Sequence, residues 1–328
     1  MSKIAIIGCN SFSGSFVVDK LLENTDHEIV GVSRGMKAPL LLPYLQKDTT
    51  KFRFFSMDMN KDMHILCDLL HTEQPEYIMN LAALSEVAPS WEHPEQWFNT
   101  NVVALTKMIN NIKNLKSLKK YVHISSPEVY GTCEGIVTED AQMNPSTPYA
   151  ASKAAADFSL ATFYKNFNFP LVTMRATNVY GAYQQLFKII PRSVIYIKQG
   201  KKIQLHGGGV AVKSYIHIRD VAQGYIDGMF KGRVGETYHL SPDNGVSVKE
   251  VVQKICQIMK IDFETATETV GERLGQDKAY VIDSQKARTE LNWKPNVPID
   301  DGLNEVVGWV ERYWPEIQNQ PLEYIHRP

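Results

Sequence analysis

The sequence predicts an α/β protein: a doubly wound parallel sheet with a smaller, interleaved α/β domain toward the C-terminus. Three observations carry this expectation. Short β-branched runs recur without polar alternation, as in strands buried on both faces. Segments of helical periodicity separate them, which builds βαβ units rather than hairpins. The chain has 328 residues, more than one ordinary domain of ~100–200 residues needs.

The elements follow in order. Residues 3–8 (KIAIIG) form a buried run that ends in glycine, and Phe16, Val17, Leu21 and Leu22 then keep helical spacing over 15–24. A second buried run, 28–34 (EIVGVSR), completes strand, glycine turn, helix and strand within about 30 residues. The alternation continues with a strand at 52–58, a helix at 63–70 and a strand at 76–83. A helix at 101–112, a strand at 120–126, a helix at 149–164 and the run 170–181 follow. Beyond Gly181 the pattern loosens. We expect a helix at 188–199, a turn-like stretch at 201–209 (KKIQLHGGG), a strand in KSYIHI and a helix at 220–230. An amphipathic helix at 246–259 is capped by Ser247, and a final helix follows the turn from Trp293 to Pro298. The organisation expected is a Rossmann-like, dinucleotide-binding domain over residues 1–177, with returns near 213–235 and 279–290. Residues 178–328 then form most of the second domain.

Composition narrows the function classes. With 35 basic and 36 acidic residues, the net charge of −1 gives no global field for nucleic acid. No apolar run approaches the ~18–20 residues that span a bilayer, and the four apolar residues before Gly8 are too few for a signal peptide. The cysteines Cys9, Cys67, Cys133 and Cys256 form no CxxC pair and read as reduced thiols, so a cytoplasmic protein is expected. The nine histidines show no metal-ligand spacing, and no metal is expected.

Gly8, Ser11 and Gly14 occupy the three small-residue positions of a GxxGxxG turn, with serine at the middle one. Such a turn after the first strand lets backbone N–H groups and a helix N-terminus face a pyrophosphate, and Asn10 and Phe12 belong to the same loop. The second strand ends in Ser33 and Arg34, where an acidic residue would bind the ribose hydroxyls of NAD. A guanidinium suits a 2′-phosphate, so NADP is expected over NAD. Asp58 is placed either for the adenine amino group or as a helix N-terminal acid. Met59, Leu81, Ala82, Ala83 and Asn101 are assigned to the cofactor site with it.

Tyr149 and Lys153 stand four residues apart on one helical face. A free phenol titrates near pH ~10, and a nearby cation favours the phenolate, so Tyr149 is expected to act as a base. The segment ISSPEVYG, residues 124–131, supplies Ser126 and Glu128 at a strand's C-terminal end, where open α/β sheets hold their ligands.

With these residues the chain resembles an extended short-chain dehydrogenase/reductase, and within it the nucleotide-sugar 4,6-dehydratases that act on dTDP-glucose and GDP-mannose. In that family a Ser/Thr, a variable residue and a Glu precede Val/Leu-Tyr-Gly, and Ser126, Pro127 and Glu128 match those places. NVYGAYQQLFKIIP (178–191) resembles NYGPYxxxEKLIP, with Ala182 for Pro and Phe187 for Glu. ERLGQDKAYVID (272–283) resembles RPGHDxRYxID, with Leu274 for Pro and Gln276 for His.

The resemblance implies an internal redox cycle. Tyr149, with Ser126 and Lys153, takes the sugar O4 proton while hydride leaves C4 for NADP+. Glu128 removes the acidified C5 hydrogen, water leaves from C6, and hydride returns there to give a 4-keto-6-deoxy sugar. At Pro127 the dTDP-glucose branch has an Asp that protonates the departing hydroxyl. Proline cannot, which favours a GDP- or UDP-linked hexose or hexosamine. Lys213 and Arg273 stand where the family neutralises the diphosphate, with Asn178, Lys188, Ser85 and Tyr280 as further substrate contacts. A homodimer through a four-helix bundle of the helices at 101–112 and 149–164 is implied too. Two other readings stay open: a nucleotide-sugar 4-epimerase or reductase that does not use Glu128, and a non-catalytic dinucleotide-binding regulator.

Overall fold

The computed structural model describes residues 2–24, 26–132, 135–271 and 281–326. Arg273 and Tyr280, with most of the segment that carries the RPGHDxRYxID resemblance, lie outside the described residues, as does Cys133. The main sheet holds β1 (Lys3–Ile7), β2 (Glu28–Ser33), β3 (Phe52–Ser56), β4 (Tyr77–Asn80), β5 (Lys120–Ile124), β6 (Leu171–Ala176) and β7 (Thr237–Leu240). All seven are parallel, in the order β3-β2-β1-β4-β5-β6-β7. Ile4 stands opposite Ile29 on one side and Tyr77 on the other. The order reverses between β1 and β4, and the crevice at that switch point is where such sheets bind ligands.

The unalternating strands follow from cover on both faces. Ile4 and Ile6 join Val122, Val172 and Met174 in one core, packed by Phe16, Val17 and Leu21 of α1 (Phe12–Asn24). The helix Ile218–Lys231 adds Val221, Tyr225 and Met229 to the same layer. Ala5 and Ile7 point the other way with Val30, Ile78 and Tyr121. There they meet α2 (Met63–Glu73), α3 (Leu105–Ile112) and α4 (Pro148–Phe167). Asn99–Ala104, just before α3, is wound as a π-helix, where the sequence predicts an ordinary helix from residue 101.

The C-terminal half packs a third core. It joins α5 (Ile189–Lys198) to α7 (Val248–Met259) and α8 (Ile299–Arg312), while α6 (Ile218–Lys231) belongs to the first core. Ser247 caps α7 through a reciprocal capping box with Glu250, as its position predicts. The turn-like stretch 201–209 contains a strand, Ile203–His206, paired in parallel with Thr267–Val270. Ile203 and Leu205 face Val252 and Cys256 while Gln204 is exposed, a one-sided alternation too short to outweigh the following glycines. KSYIHI does form a strand, Tyr215–His217, but it pairs with Asn178–Tyr180 outside the main sheet. The C-terminal residues return to the first half, where His326 stacks on Trp97 with ring centres 5.3 Å apart.

Candidate active site

The crevice between β1 and β4 is built by close backbone approach. Gly8 leaves β1 at φ +85°, and a Cβ there would stand 2.6 Å from the Ala82 nitrogen and 2.8 Å from the Leu81 carbonyl carbon. Only glycine fits such a junction. A Cβ on Gly14 would run into the Gly8 carbonyl oxygen, so the first turn of α1 lies directly on the loop. Ser11, at the middle small-residue position, accepts from the Gly14 N–H at 3.0 Å and starts α1. Phe12 follows it and packs edge-on against Phe16. The result is a tight βα turn facing the loop of Leu81, Ala82 and Ala83, a cradle into which a pyrophosphate fits at a helix N-terminus.

Asn10 ties this turn to the end of β2. Its N–H donates to Ser33 Oγ at 2.9 Å, its side-chain amide donates to the Gly35 carbonyl at 2.9 Å, and it accepts from Tyr44 Oη at 2.6 Å. Asn10 therefore shapes the loop, and the exposed Arg34 stands on it. No carboxylate occurs between residues 29 and 47 to serve ribose hydroxyls. Asp58 accepts from the Asn60 N–H at 2.8 Å in the turn before α2, where Asp62 rather than Asp58 stands at the helix N-terminus, and Met59 beside it is buried. A cavity of about 360 Å³ lies next to them, among Met59, Asn60, Thr100 and Lys107, away from Tyr149.

The π-helical turn aims Asn101 inward, and its side chain is fully engaged. It accepts from the Leu84 N–H at 2.9 Å and donates to the Leu84 carbonyl at 3.0 Å and to Ser152 Oγ at 2.9 Å. Asn101 thus braces the loop after β4 against α4.

Tyr149 and Lys153 come from the first turns of α4. Thr147 caps the helix by accepting from the Ala150 N–H at 3.1 Å, and Pro148 takes the first helical position. Tyr149 therefore sits at a helix N-terminus, whose dipole favours a phenolate. Ser126 caps the short turn Pro127–Tyr130, accepting from the Glu128 N–H at 3.2 Å. The structure brings Ser126 and Glu128 near Tyr149, the Ser126 hydroxyl favouring the phenolate and the Glu128 carboxylate opposing it.

The electrostatics correct one expectation. Burial pushes the Tyr149 phenol up, the nearby Glu128 carboxylate adds to this, and the Ser126 hydrogen bond only partly offsets both. Lys153 does not reverse the balance: its ammonium donates to the Ile124 carbonyl at 2.7 Å, and burial pushes it down to about 8. The cation alone does not make the phenolate.

The substrate-side predictions divide. Asn178 lies on a short strand beyond β6, and its buried Nδ2 has no hydrogen-bond partner among the described residues. An orphaned donor of this kind suits a ligand acceptor. Lys188 pairs with Glu86 at 2.8 Å, which brings Glu86 close enough to raise Tyr149 further. Ser85 is exposed beside it, and Lys213 lies on the short strand Val212–Lys213. Sequence reasoning did not single out Glu86, although it directly follows Ser85. It also passed over Asp157 and Arg175, which lie buried beneath the cluster.

Comparison with known proteins finds relatives along nearly the whole chain. A dTDP-glucose 4,6-dehydratase of Haemophilus influenzae is 27% identical, over 94% of this chain and 98% of its own. The structure of DesIV, a dTDP-glucose 4,6-dehydratase of Streptomyces venezuelae with NAD and TYD bound, superposes with a TM-score of 0.88 at 27% identity, covering 94% and 97% of the two chains. A UDP-glucuronic acid 4-epimerase from Bacillus cereus, in complex with UDP-glucuronic acid and NAD, superposes with a TM-score of 0.86 at 25% identity over 94% and 99%. The sequence model of GDP-mannose 4,6 dehydratase matches residues 5–306, nearly the whole chain, so the chain belongs to that family of short-chain dehydrogenase/reductase-type nucleotide-sugar 4,6-dehydratases.

Proposed function

We propose that this protein is an NADP-dependent nucleotide-sugar 4,6-dehydratase that converts a GDP- or UDP-linked hexose or hexosamine to its 4-keto-6-deoxy product. The observation that carries this reading is Glu128, a carboxylate held on one short turn with Ser126 and close enough to Tyr149 to perturb it. Exchange of configuration at C4 needs the Ser-Tyr-Lys set alone; elimination across C5 and C6 needs an additional base.

The cradle of Gly8, Ser11 and Gly14 and the loop of Leu81, Ala82 and Ala83 fit a dinucleotide, with Tyr149 and Lys153 at its reactive end. When bound, the nicotinamide supplies the acceptor for the C4 hydride and its donor to C6. Tyr149 takes the O4 proton, aided by the Ser126 hydroxyl and the helix N-terminus. Glu128 takes the C5 proton and passes it to the departing C6 hydroxyl, since Pro127 beside it carries none. C5 regains a proton once hydride has reached C6, balancing the one Tyr149 took from O4. The absence of a second acid at Pro127 is the reason for favouring a GDP- or UDP-sugar over a dTDP-sugar. Arg34, with no carboxylate near it in sequence, supports a 2′-phosphate on the cofactor. Asn178, Lys188 and Lys213 are proposed for the nucleotide-sugar side, with Arg273 and Tyr280.

Incubation with a panel of GDP-, UDP- and dTDP-sugars, read by mass spectrometry, tests the reaction. Loss of one water from a GDP- or UDP-sugar is expected. Unchanged mass with inverted C4 would establish the 4-epimerase reading, which the Bacillus cereus neighbour keeps in view. Glu128→Gln is expected to lower water loss by roughly 10²–10⁴-fold while cofactor still binds. For the cofactor, Arg34→Ala should erase a preference for NADP over NAD; an unchanged preference refutes that assignment.

The remaining proposals are organisational. Residues 1–177 constitute the cofactor half and 178–328 most of the substrate half. A cytoplasmic homodimer is formed through α3 and α4, whose flanks expose Val103 and Phe158. Sedimentation of wild type and Phe158→Glu tests the dimer.

A further inference from the structure

A buried ion pair that the proposed chemistry does not use lies beneath the catalytic turn. Asp157 follows Lys153 by four residues on α4, so both side chains lie on one face of the helix. Asp157 Oδ2 accepts from Ser125 Oγ at 2.6 Å and from Arg175 Nη2 at 2.8 Å. Arg175, from β6, is only 2% exposed. Its Nη1 donates to Tyr130 Oη, and its guanidinium stands 4.9 Å from the centre of that ring. The chain of bonds continues to β7. His239 Nδ1 donates to the Asp283 carbonyl at 3.0 Å, which leaves Nε2 to accept from Tyr130 Oη at 2.7 Å. From β5, His123 Nε2 stands 3.1 Å from Asp157 Oδ1. Burial holds His123 down to about 4 and His239 to about 3, so both are neutral near pH 7.

The positions of the two anchored side chains carry the argument. Ser125 immediately precedes Ser126, and Tyr130 lies two residues beyond Glu128 in the same turn. One ion pair therefore grips the catalytic turn at both ends. Buried ion pairs are poor devices for stability, since well-packed apolar residues do as well; their better-attested use is to fix one geometry. Asp157 also has an electrostatic consequence, because its charge opposes the loss of the Lys153 proton that burial promotes.

We propose that the Asp157–Arg175 pair is the positioning device of the catalytic turn, setting Ser126 through Ser125 and Glu128 through Tyr130, and that the same carboxylate supports the Lys153 ammonium. The Glu128 arm depends on the dehydratase reading; the Ser126 and Lys153 arms hold for any chemistry that oxidises C4.

Single-turnover kinetics of the holoenzyme separate the two ends. C4 oxidation is followed by nicotinamide absorbance and water loss by mass spectrometry of quenched samples. Tyr130→Phe is expected to slow water loss about tenfold and leave C4 oxidation within about twofold; Ser125→Ala should slow oxidation first. A merely structural role lowers thermal stability and both steps together, and that result, or no change in either, overturns the positioning role. The third arm needs no substrate. In ¹⁵N-lysine spectra, with Lys153 assigned by its loss in Lys153→Met, Asp157→Asn should lower the Lys153 midpoint by about one pH unit. Should that variant not fold, Asp157→Asn combined with Arg175→Met removes both charges of the pair and leaves no uncompensated guanidinium. It should still lower the midpoint, because Asp157 acts on Lys153 more strongly than Arg175 does. An unmoved midpoint overturns the support of Lys153. Wild-type enzyme that oxidises C4 without losing water refutes the dehydratase reading instead, and the Ser125 and Lys153 arms still judge the pair.

Discussion

Gly8→Ala tests the cradle at its narrowest point. The added methyl group would meet backbone rather than a flexible side chain, at 2.6 Å from the Ala82 nitrogen. Restoring an ordinary contact of about 3.4 Å requires the loop of Leu81 and Ala82 to retreat by about 0.8 Å. At φ +85° a non-glycine residue also carries ~1–2 kcal/mol of conformational strain. The loop is anchored by the Leu81 N–H on the Ile7 carbonyl at 2.7 Å and by the Ala82 N–H on Asn80 Oδ1 at 3.1 Å, so retreat strains both bonds. Together these place the loss at about 2–4 kcal/mol, seen as a fall in melting temperature of several degrees. Cofactor affinity should fall at least about tenfold, because the displaced loop is one wall of the dinucleotide crevice. Titration calorimetry with NADP and NAD, beside thermal unfolding, provides the measurement. Gly35→Ala is the control: nothing lies within 4 Å of its Cβ position, and it should leave both quantities unchanged. If Gly8→Ala bound cofactor like the wild type, the crevice would not be where the dinucleotide lies.

Further predictions concern stability and the helix that carries Tyr149. His123, His217 and His239 are held by burial to about 4, 3 and 3, below their ordinary value of 6.5. The unfolded chain therefore binds protons that the folded one refuses: their contribution is intact above about pH 6.5 and is lost as pH falls toward 4. Each histidine contributes a slope of about 1.4 kcal/mol per pH unit, and urea melts of His217→Asn, which keeps a cap acceptor for the Arg219 N–H, should show a shallower slope. Within α8, Gly308→Ala enters open space and should stabilise by about 0.5–1 kcal/mol. In the same helix Gly302→Ala presses on Tyr180 Oη and on His217 Cδ2 at 2.9 Å, so chemical denaturation should give the opposite sign. Thr147→Ala removes the cap of α4 and should cost about 1 kcal/mol, with kcat reduced more than KM is raised, since the freed turn carries Tyr149.

The parts legible in the sequence are those with strong local signals. β1, β2 and β4 carry apolar centres without polar alternation because helices cover both faces, and the glycine turn after β1 announces the crevice. β7 was not anticipated, since Thr-Tyr-His-Leu is only four residues long and its partner β6 lies about 60 residues earlier. Asp157 was legible in spacing, one turn past Lys153, but its meaning depends on Arg175 arriving from another strand. Tyr149 shows the opposite limit: the sequence displays the cation four residues away but not the burial and the Glu128 charge that outweigh it.

β7 has a consequence for how the chain can be divided. It closes the free side of β6 by pairing Thr237–Leu240 with residues 173–176, after the polypeptide has laid down α5 in the other half and returned through α6. Cutting at residue 177 would not release an autonomous nucleotide-binding module. It would leave β6 as an unpaired edge with a full row of open backbone groups, the template on which strands of other molecules add. The β6–β7 pairing thus couples the folding of the nucleotide-facing half to chain that arrives after the cut.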